Sequence, residues 1–276
     1  SLRRALRCLR DHVGRVALRA LKRVCPELAR AALARIRRLY RAHLAKRRRR
    51  RLQRLRWRVP GTAWAMDFAA LAGQCSQEFL LVRDLATKKT LHCAVVANDA
   101  GVVADCLTRL FAAHGAPLVL KSDNGAAFTA VLVRDRLAHH RVCALLSPPR
   151  RPAYNGAVEA AVGATKRVAY DLAFTAHRAV PAPADLARTA EILDQQPVTR
   201  HGTAPARRDA WAQRPLISSQ LRDAFHRARL QHLLRLRKQR GLADQPAPTH
   251  AARAALERAA TRDALLECGL LSFNRP

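Results

Sequence analysis

Acidic residues are what this sequence has least of. Its 276 residues include 20 Asp and Glu against 51 Lys and Arg, a formal net charge of +31. The shortage is concentrated at the front. Residues 1–58 hold 22 basic and 2 acidic side chains, a net of +20, whereas residues 59–180 hold 13 and 9 and residues 181–276 hold 16 and 9. A bias toward Arg codons accounts for Arg outnumbering Lys, but not for the near absence of acids from the first 58 positions. Such a surface attracts polyanions at long range. Nucleic acid is the default partner, because each neutralised phosphate releases counterions.

Aromatics are also scarce, at 5%, while hydrophobic residues make up 49%, so a core must be built from Ala, Leu and Val. That balance is globular and not disordered. No apolar run reaches the roughly 18 residues of a membrane-spanning helix, so no membrane partner is expected. The start, Ser1-Leu2-Arg3-Arg4, does not lead into a signal-peptide hydrophobic region. The chain does not begin with Met, which suggests a trimmed start. The seven cysteines (8, 25, 75, 93, 106, 143 and 268) are odd in number, scattered and without a CxxC pair. This argues against a disulfide framework and a Cys-based zinc site, and suggests small buried hydrophobes in a reducing cytosol.

Residues 2–58 are helical in pattern. An amphipathic segment at 18–24 ends near Cys25-Pro26, and Pro26 can open a second helix from Glu27 to about Ala45. Two helices joined by a tight turn suggest a helix-turn-helix-like module. The run Lys46, Arg47, Arg48, Arg49, Arg50, Arg51 reads as a solvated arm suited to tracking phosphates. From Gly61 the texture changes. Strands are expected at 62–71, 78–85, 90–97, 117–120 and 141–146, with helices at 100–114, 126–140 and 157–176. The order β-β-β-α-β-α-β-α indicates a mixed sheet with helices on its faces. After Pro181-Ala182-Pro183, helices are expected at 184–195, 219–238 and 250–268. Three domains follow: a basic helical DNA-binding module at 1–58, an α/β core at 59–180 and a helical C-terminal extension at 181–276.

Three carboxylates stand at telling places. Asp67 lies inside the apolar strand Trp64-Ala65-Met66-Asp67-Phe68, where an acid is costly unless it is paired or binds metal. Asp123 follows the fourth core strand, where open sheets place their sites. Glu159 sits in the first turn of the helix after Tyr154-Asn155-Gly156. Taken singly, Asp123 suits a turn and Glu159 suits a helix N-terminus. Together they form the kind of set that phosphodiester chemistry uses. Hard divalent cations prefer carboxylate oxygen, and two such ions stabilise both the attacking and the leaving oxygen.

These residues carry a resemblance. Trp64-Ala65-Met66-Asp67, then Leu118-Val119-Leu120-Lys121-Ser122-Asp123-Asn124-Gly125, then the run from Ser147-Pro148-Pro149 through Tyr154-Asn155-Gly156-Ala157-Val158-Glu159 resemble the retroviral-integrase-like catalytic core. That core is shared by integrases and many bacterial insertion-sequence transposases. Fifty-five residues separate the two aspartates and 35 separate Asp123 from Glu159, and the second spacing is the family's own. The resemblance implies a ribonuclease-H-like, mixed five-stranded sheet with flanking helices. It implies Asp67, Asp123 and Glu159 as ligands of Mg²⁺ or Mn²⁺, two ions in all. It also implies a reaction in which water frees a 3′-hydroxyl at an element end and that hydroxyl attacks target DNA. Lys166, two helical turns after Glu159, corresponds to a basic residue that touches DNA in similar enzymes. Asn155 is expected at the turn that aims the helix toward DNA, and Arg150 and Arg151 on a DNA-facing loop.

The sequence departs from retroviral integrases at its front, where His12, His43, Cys8 and Cys25 lack zinc-module spacing; no zinc is expected, and the front end is closer to bacterial transposases. Gly202-Thr203-Ala204-Pro205 is a weak echo of a Thr-Pro motif that follows such cores. The sequence ends at Phe273-Asn274-Arg275-Pro276, where the resemblance leads one to expect a basic β-rich C-terminal module, so the C-terminal extension is expected to be truncated. The resemblance further implies a homo-multimer in a bacterial cytoplasm, at the nucleoid, with element ends and target DNA as partners. A ribonuclease-H-like nuclease and a domesticated DNA-binding relative remain open alternatives.

Overall fold

The computed structural model describes residues 2–12, 15–51, 54–71, 77–148, 154–199, 203–242 and 249–274. The chain divides into two compact units, residues 1–56 with 273–276, and residues 57–272.

The first unit is built on α1 (Leu2–Asp11), α2 (Leu18–Val24) and α3 (Arg30–Arg51). Ala5, Leu9, Val16, Leu21, Cys25 and Leu33 form its small core. Between α2 and α3, Lys22 Nζ donates to the carbonyls of Pro26 (2.7 Å) and Leu28 (2.8 Å), and helix α3 starts at Arg30 rather than near Pro26. The expected arm is helical: α3 runs on to Arg51. Arg is a good helix former, so an Arg run can extend a helix that packing has already nucleated. Residues expected to be helical at 54–57 instead form strand β1 (Arg54–Trp57), which pairs with β7 (Leu271–Asn274).

The second unit holds a five-stranded sheet of β2 (Ala63–Leu71), β3 (Gln77–Asp84), β4 (Thr90–Val95), β5 (Val119–Ser122) and β6 (Cys143–Leu146), in the order β4-β3-β2-β5-β6. The first three strands meander antiparallel, and β5 and β6 join parallel to β2. The β3–β4 turn is tied by Asp84, whose carboxylate accepts from the backbone N–H groups of Gly61, Ala86 and Thr87 and from Thr87 Oγ1.

Alternation along the strands gives each face its own core. One face carries Trp64, Met66, Leu80, Val82 and Leu120 against α4 (Ala100–His114) and α6 (Val131–His139). The other carries Ala63, Ala65, Phe79, Leu81 and Val119 against α7 (Gly156–Thr175). On this second face α8 (Pro183–Gln195), α10 (Ser219–Gln239) and α11 (His250–Glu267) supply Leu186, Phe225, Ala228, Ala264 and Leu265 to the same core. The small Ala65 and Ala69 of β2 leave room for α7 to approach the sheet.

Two helical features are not visible in the pattern. The helix expected over 126–140 is broken into α5 (Ala126–Thr129) and α6 by Ala130, whose ψ of 150° is extended. A short α9 (Arg207–Ala212) buries Trp211 beside Trp64, with ring centroids 6.4 Å apart.

Candidate active site

The parallel register of β2 and β5 places the first two acids. Ala65 pairs with Lys121, so Asp67 and Asp123 each lie two residues further along adjacent strands, toward the same end of the sheet. Asp67 is half-buried, on the odd-numbered face of β2 that packs against α7. Glu159 is the acid in the first turn of α7 and is exposed. Asp123 is exposed just beyond β5.

Electrostatics link all three. Burial raises the Asp67 carboxyl to about 6, and the neighbouring negative charges of Asp123 and then Glu159 push in the same direction, against a lowering hydrogen bond from the Phe68 backbone. This is the behaviour of a carboxyl held among like charges in a partly desolvated place. A hard cation would relieve the repulsion, so the donor chemistry fits Mg²⁺ or Mn²⁺. Among the described residues, however, no group of three or more His, Cys, Asp or Glu side chains is gathered closely enough to hold a metal ion. The two observations agree, because charge repulsion acts over a longer range than a metal–oxygen bond.

The surroundings of Asp123 are rigidly braced. Its Oδ1 accepts the Gly125 N–H at 2.9 Å, and a Cβ built on Gly125 would come within 3.0 Å of that same oxygen, so the turn suits glycine. Asn124 Nδ2 donates to Ser147 O (2.8 Å), and Ser147 Oγ donates to Ser122 O (3.1 Å), which locks the end of β5 to the end of β6.

Lys121 links this strand to the start of α7. It is 7% exposed, its Nζ donates to Tyr154 O at 2.6 Å, and the ammonium lies 4.3 Å from the Tyr154 ring centroid. Burial pulls the Lys121 ammonium down to about 8. Asn155 follows as the residue before α7. Its carbonyl accepts from Val158 and Glu159, and it is buried, with Oδ1 lacking a hydrogen-bond partner. Lys166 is half-buried two turns beyond Glu159 and on the same side of α7. Arg150 and Arg151 lie outside the described residues, as do the side chains of Arg47, Arg48, Arg49, Arg50 and Arg51.

The sequence pattern gives no role to Lys121, Asn124 or Ser147. A lysine inside the apolar stretch Leu118-Val119-Leu120-Lys121 is the one available signal, because such a cation must find a partner.

Residues 58–152 match the family model of the integrase core domain, a span that includes Asp67 and Asp123 and ends before Glu159. No curated protein matches the sequence. Among solved structures, the chain is similar to the HTLV-2 integrase catalytic core domain in complex with magnesium, at 14% identity and TM-score 0.46, covering 56% of this chain and 99% of that one. It is similar to the catalytic core domain of BIV integrase, at 20% identity and TM-score 0.45, covering 55% and 94%. It is also similar to the simian T-cell lymphotropic virus intasome in complex with PP2A regulatory subunit B56 gamma, at 14% identity and TM-score 0.51, covering 75% and 77%. The last of these likenesses shows the fold: a ribonuclease-H-like sheet with flanking helices.

Proposed function

We propose, from the premise that residues 58–152 form an integrase-like core, that the chain is a transposase or integrase that processes DNA 3′ ends and transfers them into target DNA. The observation that supports this reading is the raised Asp67 carboxyl, pushed up first by burial and then by the negative charges of Asp123 and Glu159, on a strand whose parallel neighbour leads to Asp123. Asp67, Asp123 and Glu159 would together hold Mg²⁺ or Mn²⁺. When bound, these ions supply positive charge to the attacking and leaving oxygens of an in-line phosphoryl transfer. The contribution of the chain is placement: β2 and β5 present two carboxylates at one level, and α7 brings the third.

DNA is assigned to the Glu159 side of α7. Lys166 there is suited to a phosphate, Asn155 frames the turn into the helix, and Arg150 and Arg151 are assigned as further DNA contacts. Arg47, Arg48, Arg49, Arg50 and Arg51 belong to the basic front end, which we assign to sequence-independent backbone contacts. We further infer a homo-multimer, since two DNA ends must be joined to one target.

The test is cleavage of labelled supercoiled plasmid with Mg²⁺ or Mn²⁺, comparing the parent with Glu159→Gln. Nicking or joining by the parent that disappears in Glu159→Gln supports the assignment. Equal activity in both removes it, and DNA binding without any cleavage points to a non-catalytic relative.

A further inference from the structure

On the side of α7 away from Glu159 and Lys166 lies an open groove of about 450 Å³. Ala157, Ala160, Ala161 and Ala164 of α7 line one wall, and their small side chains leave the space open. Among the other lining residues are Arg83, Lys88, Arg167 and Arg207, and the lining includes no acid.

Arg83 is the unusual member. It is 8% exposed, and its Nη2 donates to the Lys88 carbonyl at 3.2 Å. Among the described residues no carboxylate lies within ion-pair distance of it. Both nearby acids are engaged elsewhere. Asp84 accepts from Gly61, Ala86 and Thr87. Asp194 is paired with Lys89 at 2.6 Å and accepts the Thr90 N–H at 2.9 Å. Arg207 is half-buried across the groove, and its Nε is buried without a hydrogen-bond partner. Its guanidinium adds to the field that opposes the charge on Arg83. A buried guanidinium without a paired carboxylate, facing a second guanidinium with an orphan N–H, is unfavourable unless an anion completes it.

We propose that this groove is a second, non-catalytic phosphate-binding site, in which Arg83 and Arg207 supply buried donors and Arg167 an exposed one. Guanidinium groups match the oxygens of a phosphate monoester or diester in geometry as well as charge. The apolar wall of Ala157, Ala161, Leu81 and Leu193 suits the organic part of a nucleotide or nucleic-acid strand. The site does not depend on the acidic triad.

The experiment is equilibrium dialysis of the full chain against radiolabelled inorganic phosphate at fixed ionic strength. Compared with the parent are Arg207→Gln, Arg83→Met, Arg240→Gln (an exposed arginine that is not among the groove's lining residues) and Glu159→Gln. One saturable equivalent is expected in the parent, Arg240→Gln and Glu159→Gln. Arg207→Gln should weaken it by about tenfold or more, the scale of one charge-assisted hydrogen bond. Should Arg83→Met fail to fold by circular dichroism, Arg207→Gln and Arg167→Gln decide the matter. Displacement of the label by thymidine 5′-monophosphate identifies a free phosphorylated ligand, and displacement only by a short oligothymidylate identifies a strand. The proposal is overturned by absence of saturable binding, by binding that Arg207→Gln leaves unchanged, or by failure of both competitors to displace the label. Retention of the site in Glu159→Gln separates this outcome from that of the cleavage test.

Discussion

Lys121 and Tyr154 are joined twice, through a 2.6 Å hydrogen bond from Nζ to the Tyr154 carbonyl and through the ammonium lying 4.3 Å from the ring centroid. The pair ties the strand that carries Asp123 to the turn that begins the helix of Glu159. We infer that Lys121 positions the start of α7 against the end of β5. Lys121→Met should lower the cleavage rate by about tenfold or more, the scale of one charge-assisted hydrogen bond. Stability should change less, because the lost bond is offset by the removal of a buried charge. Hydrogen exchange at the amides of 155–159 should quicken, and Lys121→Arg should recover part of the rate. An unaltered rate in Lys121→Met would mean that the start of α7 is positioned by other residues.

Asp67 should destabilise the metal-free fold. Its carboxyl is raised from 3.8 to about 6 by burial and by its acidic neighbours. A folded-state value above the unfolded one gives a contribution that is fully present below about pH 3.8 and lost as pH rises through about 6. Above that range the ionised carboxylate opposes folding, and Asp67→Asn removes the opposition. Since the group is partly exposed, the gain is on the order of 1 kcal/mol, or about 2–4 °C in melting temperature. Thermal melts without divalent cation should show this gain at about pH 7.5 and lose it near pH 4. A melting temperature lowered at both values would contradict the account of the shift.

Asp84 is a structural acid. Four donors converge on its buried carboxylate, three of them backbone N–H groups. Asp84→Ala leaves these donors without a partner and should destabilise the fold by about 3 kcal/mol or more. A urea titration measures this, and a loss under about 1 kcal/mol would show that water replaces the carboxylate readily.

The helices after residue 181 should be inseparable from the five-stranded sheet. Arg222 of α10 donates to the carbonyls of Ala116 (2.5 Å), Pro117 (3.0 Å) and Arg141 (3.2 Å), in the segments leading into β5 and β6. It also donates to the His140 carbonyl at 3.4 Å. Arg222→Ala deprives all of these carbonyls of their charged donor and should destabilise the fold by about 2 kcal/mol. A chain ending at Arg214 should not fold, as it lacks Phe225, Ala228, Ala264 and Leu265 of the shared core. Soluble expression of that shortened chain with a cooperative melt would refute the point.

Much of this was legible in the residues. Apolar alternation marked the strands of the sheet; Asp67 stood out as a charge inside an apolar strand, and Asp123 and Glu159 as acids at a strand end and a helix start. The break at Ala130 was not legible, because Thr129-Ala130 contains neither Gly nor Pro. Nor was the continuation of α3 through its Arg run, where local charge favours a solvated arm and helix propensity prevails. The partner of Lys121 lies 33 residues away, beyond the reach of any local pattern.

By itself, then, the sequence determined the strands and helices of the central sheet unit, the concentration of positive charge at the front, and the choice of three acids as candidates, since these follow from local periodicity and residue chemistry. Only the tertiary structure decided that Ala65 pairs with Lys121, and so that Asp67 and Asp123 reach the same level on neighbouring strands. Only it decided that the later helices complete the core, and that four cations share a groove behind α7. Those relations join residues far apart in the chain, and they are set by strand register and by which apolar faces are buried together.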